Sequence, residues 1–360
     1  MTQIIKVSNK KIGPGCPVFV IAEIGCNFEG DLDRAKEMIR AASAAGADAV
    51  KFQTFIPEKL TTRTAPKFWD IEGCPGETQY DEFIQMPKLS LEKYKELKKT
   101  AEDARIIFFS TPEDEDSADL LESIDVPLYK ISSMNITHLP LLRHVAQKGK
   151  PMIISTGGST VKEIKEAVTA IESEGNRQIV ILHCITNYPT KADNVNLNML
   201  TDLKKNFGDY PIGYSDHTKM EDSLSIILGA AALGANSIEK HFTFDKNRPG
   251  YDHEISADYQ DLKEITDRLR ILERGLGISC KKPTESEKKI IFLARRSIVA
   301  KKDIPKGTRI SKDMLIIKRP GTGIEPKFIL DVVGKRALTH IREDEILVWS
   351  MLNLTGEEDI

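Results

Sequence analysis

The sequence contains few cysteines, and their spacing forms no motif. Five cysteines are distributed over 360 residues, and no two of them form a C-x-x-C pair. An odd number of widely spaced cysteines is typical of reduced thiols and argues against a zinc–thiolate site. We therefore expect a cytoplasmic protein with free thiols.

Several other signals are missing as well. No apolar run reaches the roughly 18 residues that span a bilayer, and residues 1–13 lack the long apolar core of a signal peptide. The formal net charge is −3 and the lysines are scattered, so no basic surface for nucleic acid is expected. No G-x-G-x-x-G follows the first apolar run, which leaves a dinucleotide fold without support. We therefore expect neither nucleic acid nor a membrane as a partner.

Eight short apolar runs recur along the first part of the chain. They occupy residues 17–25, 47–55, 106–112, 127–133, 151–157, 179–185, 211–217 and 235–243. Near-continuous hydrophobicity is typical of parallel strands that are buried on both faces. Helical patterns separate the runs, most clearly at 31–47, 91–104 and 161–175. This alternation predicts a (β/α)8 TIM barrel, with an open doubly wound sheet as the alternative.

The chain divides into three predicted parts. Residues 1–275 carry the barrel pattern, residues 276–293 are polar and predict a linker, and residues 294–360 alternate short strands with turns. Within the last part, 303–315 and 340–352 resemble each other weakly, and both end in Met-Leu. A β-rich module of about 60 residues is marginally stable alone, so we expect it to dock on another surface.

Polar residues stand where each predicted strand ends. They are Glu23, Lys51, Gln53, Thr111, Lys130, Ser133, Ser155, Thr186, Ser215, His217, Glu239 and His241. Unpaired polar groups destabilise a protein core, so eight polar strand ends are difficult to explain by packing. Active sites of (β/α)8 barrels form at the C-terminal ends of the strands. The set therefore predicts an active site.

Two histidines on neighbouring predicted strands are candidate metal ligands. Because side chains alternate along a strand, Ser215 and His217 share one face, as do Glu239 and His241. Two neutral imidazoles at similar depth can bind a divalent cation and leave positions open for substrate. Oxygen-rich surroundings favour Mn²⁺ over a closed zinc site. The alternative is a pair of hydrogen-bonded core histidines.

Two lysines, Lys51 and Lys130, are expected at the same end of the barrel. Together with nearby hydroxyl groups they suit an anionic ligand that carries phosphate or carboxylate. The alternatives are a Schiff-base lysine, as in class I aldolases, and a structural ion pair. Glu23 is a candidate general acid or base, or a ligand of a substrate hydroxyl. Asp252, in the loop after the eighth strand, lies on the same predicted face.

Segments along almost the whole chain resemble the sialic acid synthase family, which condenses phosphoenolpyruvate with an N-acylated hexose to form nonulosonic acids. They include "FVIAEIGCNFEGDLDRAKEMIRAASAAGADAVKFQTF", "YKISSMNITHLPLL", "PMIISTGG", "LHCITNYPT", "IGYSDHT" and "SIEKHFTFDKNRPGYDH". The segment "RRSIVAKKDIPKGTRISKDMLIIKRPGTGI" is similar to the antifreeze-like (SAF, β-clip) domain that ends those synthases. The resemblance implies a transferase that forms a carbon–carbon bond.

The resemblance also implies roles for individual residues. It implies Mn²⁺ or Mg²⁺ at His217 and His241. It also implies that Arg319, in "KRPGTG", reaches the barrel of a partner in a domain-swapped homodimer. Phosphoenolpyruvate would be held by Lys51, Thr111, Lys130, Ser133, Ser155 and Ser215. The sugar would lie near Gln53, Asn135, Thr186, Tyr188 and Asp252. Strand alternation alone would turn Ser132 inward, so Ser133 depends on the resemblance.

Two departures from the family pattern concern the sugar. Phe28 stands in "NFEG" where many members have a histidine, and Asn135 in "KISSMN" replaces a substrate-facing acid. A sugar other than N-acetylmannosamine, such as a dideoxy diacetamido hexose of the legionaminic or pseudaminic type, is therefore an open alternative.

We expect the insertion at 63–86 to cover the mouth of the barrel. A non-catalytic carbohydrate-binding or ice-binding protein is the alternative from outside the enzymes.

Overall fold

The structure is a computed structural model that describes residues 2–67 and 76–354. Contacts divide the chain into two compact units, of which the first ends at Gly277 and the second begins at Ile278. In the described part of the chain, no helix combines the length and the hydropathy of a membrane span.

The first unit begins with an antiparallel hairpin that the sequence analysis did not predict. Its strands are β1 (Ile5–Val7) and β2 (Lys10–Ile12). The side chains of Ile5, Val7 and Ile12 are buried in one cluster with inward-facing residues of the barrel that follows. Strands of three residues are too short for a hydrophobic period to reveal them. The hairpin packs against the N-terminal end of the barrel and closes it.

Eight parallel strands then form a closed barrel, which confirms the predicted (β/α)8 architecture. In the barrel β10 pairs with both β9 and β3, and the other strands follow in chain order. The strands are β3 (Phe19–Gly25), β4 (Ala49–Thr54), β5 (Ile107–Pro112), β6 (Tyr129–Ile131), β7 (Met152–Ser155), β8 (Ile179–His183), β9 (Ile212–Asp216) and β10 (Ser237–His241).

Ten helices belong to the described part of the first unit, and eight of them each follow a barrel strand. Two short helices, α2 and α3, lie in the connection after β4. The helices are α1 (Leu32–Ala44), α2 (Pro57–Leu60), α3 (Gln79–Gln85), α4 (Leu91–Asp103), α5 (Glu115–Ser123), α6 (Leu139–Ala146), α7 (Val161–Ser173), α8 (Met199–Asn206), α9 (Met220–Ala232) and α10 (Tyr259–Leu276). Helix α7 shows local signals typical of the set: a Thr160–Glu163 capping box starts it, and Gly175 follows it with a φ of +81°.

Strand alternation separates the barrel into two packed layers. Outward-facing strand residues pack against the helices, and inward-facing ones fill the lower barrel. The inward apolar residues are Phe19, Ile21, Ala49, Ile107, Phe109, Leu128, Ile153, Val180 and Leu182. Continuing the same alternation toward the C-terminal ends gives Glu23, Lys51, Thr111, Lys130, Ser155 and Cys184. The barrel interior is therefore apolar at the bottom and polar at the mouth.

Part of the predicted insertion lies at the C-terminal end of β4. Its residues 68–75 lie outside the described residues, so the prediction that the segment covers the mouth stays a prediction. Helix α3 belongs to the described remainder, and the ring of Phe83 contacts that of Phe55 with centroids 5.5 Å apart. The ammonium of Lys67 pairs with the carboxylate of Glu82 at 3.2 Å.

The second unit has its own small core and confirms the predicted β-rich second domain. It contains α11 (Glu285–Ala294), β11 (Ser297–Ala300), the antiparallel partner β12 (Leu315–Lys318) and α12 (Ile329–Val332). Eleven buried apolar residues between 298 and 352 form its core. Helix α11 was not predicted, because its polar first turn made residues 276–293 resemble a linker.

Candidate active site

Two lysines and two glutamates from four strands meet inside the barrel mouth. Lys51 of β4 and Lys130 of β6 are each 4% exposed. Their ammonium nitrogens lie 3.7 and 3.5 Å from Oε1 of Glu239 on β10. The Lys51 ammonium also lies 2.7 Å from Oε2 of Glu23 on β3. All four groups project from the inward face that the alternation assigns them.

Burial and mutual attraction shift the pKa values of these four groups in different directions. Burial raises the pKa of Glu23 to about 7, against the opposing effect of Lys51. Burial also acts to raise the pKa of Glu239, but Lys130 and Lys51 outweigh it, so that pKa is lowered. For Lys51, Glu23 and Glu239 outweigh burial and raise the pKa, whereas burial prevails at Lys130 and lowers it. The protonation of each of these four groups therefore depends on its burial and on its charged neighbours.

Hydroxyl and amide groups surround this charged cluster. Thr111 Oγ1 accepts a hydrogen bond of 3.1 Å from the Lys51 ammonium, and Ser215 Oγ donates one of 3.4 Å to Glu239 Oε1. Gln53 Nε2 donates to Glu23 Oε1 at 3.2 Å. Ser155 is buried at the end of β7. The structure thus brings these predicted site residues together around the lysines.

Ser133 lies at the mouth although strand alternation would have selected its neighbour. Strand β6 has already ended there, and Ser133 begins a 3₁₀ turn, so the period of two no longer applies. Its hydroxyl accepts a hydrogen bond of 2.9 Å from the Gly157 amide and lies 3.1 Å from Cys184 Sγ. A Cβ at Gly157 would stand 2.6 Å from Thr186 Cγ2 and 2.9 Å from Cys184 Sγ. Glycine at 157 therefore allows Ser133, Cys184 and Thr186 to converge.

The two candidate metal ligands, His217 and His241, face each other across the β9–β10 pair. Their ring centroids are 5.5 Å apart. His217 Nδ1 lies 2.6 Å from the carbonyl oxygen of Ile185, which makes Nδ1 the protonated nitrogen and leaves a lone pair on Nε2. That Nε2 lies 3.1 Å from the hydroxyl of Tyr188, whose ring stacks on the imidazole at 4.1 Å.

His241 has the less satisfied imidazole of the two. Its buried Nδ1 has no hydrogen-bond partner among the described residues, and the nearest acid oxygen, Oδ2 of Asp252, is 3.4 Å away. Burial lowers the pKa of His217 to about 4 and the pKa of His241 well below the usual range. Both rings are therefore neutral near pH 7, which is the form that binds metals.

The donor set fits a divalent cation with an open coordination shell. Two neutral imidazoles converge, one of them with an unpartnered buried nitrogen, and a carboxylate stands beside them. In residues 2–67 and 76–354, no group of three or more His, Cys, Asp and Glu side chains is arranged to enclose an ion. A cation at the two histidines would thus keep positions for water or substrate.

Hydrogen bonds from the side chain of Asn27 fix the loop that carries Asp252. Asn27 Oδ1 accepts a hydrogen bond of 3.2 Å from the Asp252 amide, and Nδ2 donates to the Phe242 carbonyl at 3.0 Å. The adjacent His253, which sequence reasoning did not assign to the site, is buried and lies 2.7 Å from Thr243 Oγ1. His253 is therefore a structural residue, whereas the Asp252 carboxylate faces His241. Burial raises the pKa of Asp252 to about 6.

The opposite face of β9 and β10 carries a second buried ion pair. Asp216 and Lys240 are both fully buried, and the Lys240 ammonium lies 2.6 Å from Asp216 Oδ2. The same carboxylate accepts hydrogen bonds from the hydroxyls of Tyr214 (2.8 Å), Thr218 (3.0 Å) and Ser223 (2.6 Å). As the alternation requires, this pair is directed away from the mouth.

The Phe28 departure is explained by packing. Phe28 is buried, and its ring meets that of Phe52 edge-on with centroids 5.7 Å apart. Phe52 is an outward-facing residue of β4, so this contact belongs to the layer between barrel and helices. Phe28 therefore fills the core and does not line the mouth.

The sequence analysis gave no individual role to two acids of the mouth. Glu239 was noted at a strand end but not assigned, although it lies between the two lysines. Glu113 was not noted, and it accepts hydrogen bonds from Asn135 Nδ2 (2.5 Å) and Ser132 Oγ (3.1 Å). Both lie two residues from an assigned position, His241 or Thr111, so the period of two could have identified them.

Arg319 belongs to the second unit. It is exposed and follows β12 directly. Its assignment to the site of a partner subunit stays a prediction.

Comparison with known proteins identifies the family. The model of the NeuB family matches residues 38–281, and that of the SAF domain matches residues 295–353. The chain belongs to the NeuB family and carries a SAF domain after the barrel.

Individual relatives match over nearly the whole chain. The chain is 41% identical to N,N'-diacetyllegionaminic acid synthase of Legionella pneumophila, over 95% of this chain and 98% of that protein. It is 38% identical to the spore coat polysaccharide biosynthesis protein SpsE of Bacillus subtilis, over 96% of each. Among solved structures, the N-acetylneuraminic acid synthetase of Leptospira borgpetersenii in complex with citrate matches with a TM-score of 0.73 and 33% identity, covering 81% of this chain and 96% of that one.

Proposed function

We propose that the chain condenses phosphoenolpyruvate with an N-acylated hexose to give a nonulosonic acid and phosphate. Several relatives are named as synthases of such acids, and this chain is an enzyme of the same carbon–carbon bond-forming class. The observation that carries the proposal is the mouth itself. Two buried lysines flank Glu239 at the barrel mouth, and two neutral histidines converge at the same end of the barrel.

The lysines are the proposed site of the phosphate and carboxylate of phosphoenolpyruvate. Lys51 and Lys130 would exchange part of their attraction to Glu239 for the anion, because a doubly charged ligand outcompetes a single distant carboxylate. Hydroxyl or amide groups of four residues around the lysines fix the orientation of the anion. These residues are Thr111, Ser133, Ser155 and Ser215. The sugar is assigned to the side of Gln53, Asn135, Thr186, Tyr188 and Asp252.

His217 and His241 are the proposed ligands of Mn²⁺ or Mg²⁺. When bound there, the ion supplies Lewis acidity to the aldehyde oxygen of the open-chain sugar. The Ile185 carbonyl holds the tautomer of His217 that presents Nε2, and Tyr188 stacks on that ring to fix its plane. The protein thereby orients the lone pair of His217 before any ligand arrives.

The reaction follows from these positions. Carbon 3 of phosphoenolpyruvate forms a bond to the aldehyde carbon of the sugar, the aldehyde oxygen takes up a proton from solvent to become a hydroxyl, and a cationic centre develops at carbon 2. Water adds to carbon 2, and the tetrahedral product loses phosphate by cleavage of the C–O bond while its new hydroxyl releases a proton and becomes the keto oxygen. Glu23, whose pKa is near 7, accepts the proton of that water. The lysines hold the phosphate throughout, so positioning and electrostatics provide most of the acceleration.

The test is phosphate release from phosphoenolpyruvate across a panel of N-acylated hexoses, with and without EDTA. We expect release that requires both a divalent metal and a sugar of the panel. Phosphoenolpyruvate labelled with ¹⁸O at the bridging oxygen should transfer the label to phosphate. The absence of release across the whole panel would overturn the proposal, and mass spectrometry of the product identifies the sugar.

A Schiff-base aldolase is the second candidate, because burial lowers the pKa of Lys130, as an amine nucleophile requires. It predicts that borohydride traps pyruvate on Lys130 and that EDTA has no effect. The neutral histidine pair favours the metal-dependent synthase.

We further propose that the working form is a domain-swapped homodimer. In the second unit, Arg319 is exposed, and α11 exposes Ile290, Phe292 and Leu293. Such an apolar helix face is suited to an interface. Arg319→Glu should reduce turnover, and mixing it with an inactive Lys130→Met chain should restore part of the activity if Arg319 serves the barrel of the partner. Turnover of the mixture no higher than that of the two separate variants would contradict subunit sharing.

A further inference from the structure

Glu113 is a carboxylate at the mouth that the proposed reaction does not use. It follows β5 two residues after Thr111, whose hydroxyl contacts Lys51. The Glu113 amide donates to the Thr54 carbonyl at 3.0 Å, which continues the β4–β5 hydrogen-bond ladder by one more step. The period of two therefore still applies at residue 113 and places its side chain above Thr111 on the inward face.

Its carboxylate is held through one oxygen only. Oε2 accepts hydrogen bonds from Asn135 Nδ2 at 2.5 Å and from Ser132 Oγ at 3.1 Å. Oε1 accepts no hydrogen bond from the described residues. It is also not fully buried. Burial raises the pKa of Glu113, and Ser132 and Lys51 oppose that effect. Asn135 and Ser132 thus fix the group and leave its second oxygen accessible.

When Glu113 is ionised, its charge restricts which ligand can use that oxygen. An ionised carboxylate accepts hydrogen bonds and cannot donate them. It also repels anions, so the phosphate of phosphoenolpyruvate belongs at Lys51 and Lys130 and not beside Glu113. The complementary group is a neutral donor, such as a hydroxyl or an amide N–H.

We propose that Glu113 is a specificity-determining residue that accepts a hydrogen bond from a hydroxyl or acylamino N–H of the sugar. The inference rests on the proposed function. It also gives a role to Asn135, which stands where many family members have an acid. In this chain the carboxylate is supplied by Glu113 after β5, and Asn135 orients that carboxylate. A sugar that carries phosphate at the contacted position is disfavoured for the same electrostatic reason.

Glu113→Gln tests the proposal with minimal change of shape. Asn135 Nδ2 and the Ser132 hydroxyl are both donors to Glu113, so they hold the amide oxygen of the new side chain and turn its NH₂ toward the mouth. The sugar donor would then face a donor. The matched control is Asp116→Asn, which removes a carboxylate that pairs with Lys59 on the surface near the start of α5.

The measurement is calorimetric binding, in the full chain, of the alditols of the N-acylated hexoses, which cannot react, and separately of phosphoenolpyruvate. We expect Glu113→Gln to raise the Kd of the alditols about 10- to 100-fold and to change the Kd of phosphoenolpyruvate less than about twofold. The control should change neither. An alditol that lacks the contacted donor should bind the wild-type chain and Glu113→Gln equally.

Each outcome decides a separate point. Unchanged alditol affinity in Glu113→Gln overturns the role of Glu113 even if the wild-type chain releases phosphate. Equal weakening of both ligands also overturns it, because a general structural change would then be the cause. A wild-type chain that binds no alditol and releases no phosphate overturns the proposed function and this inference together.

Discussion

The two faces of the β9–β10 pair both carry buried charges, but the charges differ in how completely they are satisfied. On the outer face, the carboxylate of Asp216 receives donors from Lys240, Tyr214, Thr218 and Ser223. On the inner face, Oε2 of Glu239 has no hydrogen bond among the described residues, and its other oxygen serves two lysines at 3.5 and 3.7 Å.

This difference distinguishes a structural ion pair from a ligand-binding one. A buried charge with all its hydrogen bonds made stabilises the position of the chain around it, and its loss leaves the partner uncompensated. Buried charges with long or missing contacts are destabilising until a ligand supplies the missing partner. The outer pair is therefore expected to determine stability and the inner cluster to determine activity.

The largest effect is expected on the inner face, from Lys130→Met. Turnover should fall on the order of 10³-fold or more, because a fixed cation that holds the phosphate is lost. The unfolding free energy should stay constant or rise by about 1–2 kcal/mol, because a hydrophobic side chain replaces a poorly satisfied buried charge. Phosphate release and denaturant unfolding measure the two quantities. Lys59→Met, which removes a surface lysine, is the control, and a strongly destabilised Lys130→Met would contradict the comparison.

The outer face should respond in the opposite way to Asp216→Asn. We expect the unfolding free energy to fall by about 3–5 kcal/mol, because Lys240 is left as an uncompensated buried charge. Denaturant unfolding followed by circular dichroism measures the change. If Asp216→Asn unfolds at the same denaturant concentration as the wild-type chain, the outer pair is not a determinant of stability.

The smallest effect concerns the proton of Glu23 and refines the comparison within the inner cluster. Its pKa is raised to about 7, and the carboxylate is the form that accepts a proton. The kcat/KM of the wild-type chain should therefore rise as the pH passes through about 7 and become constant above it. Glu23→Gln should be slower and should lack that ionisation. If the pH profile of Glu23→Gln keeps the same inflection, that inflection belongs to another group.

The repeating part of the fold could be predicted because each strand is a near-continuous apolar run. The same period of two also predicted that Lys51, Ser215 and His241 face the interior. The hairpin of β1 and β2 escaped prediction because three residues carry too little periodicity. Helix α11 escaped it because its polar residues outnumber the apolar ones in the first turn.

The limits of the predicted site have a physical cause in the ends of the strands. The period of two holds beyond β5 as far as Glu113, yet it fails after β6, where a 3₁₀ turn begins at Ser133. A sequence does not reveal where a ladder of hydrogen bonds stops. The period of two could have placed Glu113 at the mouth, but its hydrogen bond with Asn135 joins two loops and is visible only in the structure.

The hairpin at the bottom of the barrel has a kinetic consequence. Because β1 and β2 cover the lower end of the barrel, we expect ligands to enter the interior from the mouth. Glu113 stands two strand residues above Thr111, about 6–7 Å nearer to that entrance. An anion at Lys51 and Lys130 lies beneath any ligand at Glu113, so it must enter before that ligand and can leave only after it. We therefore expect ordered kinetics, in which a saturating sugar analogue traps phosphoenolpyruvate that is already bound.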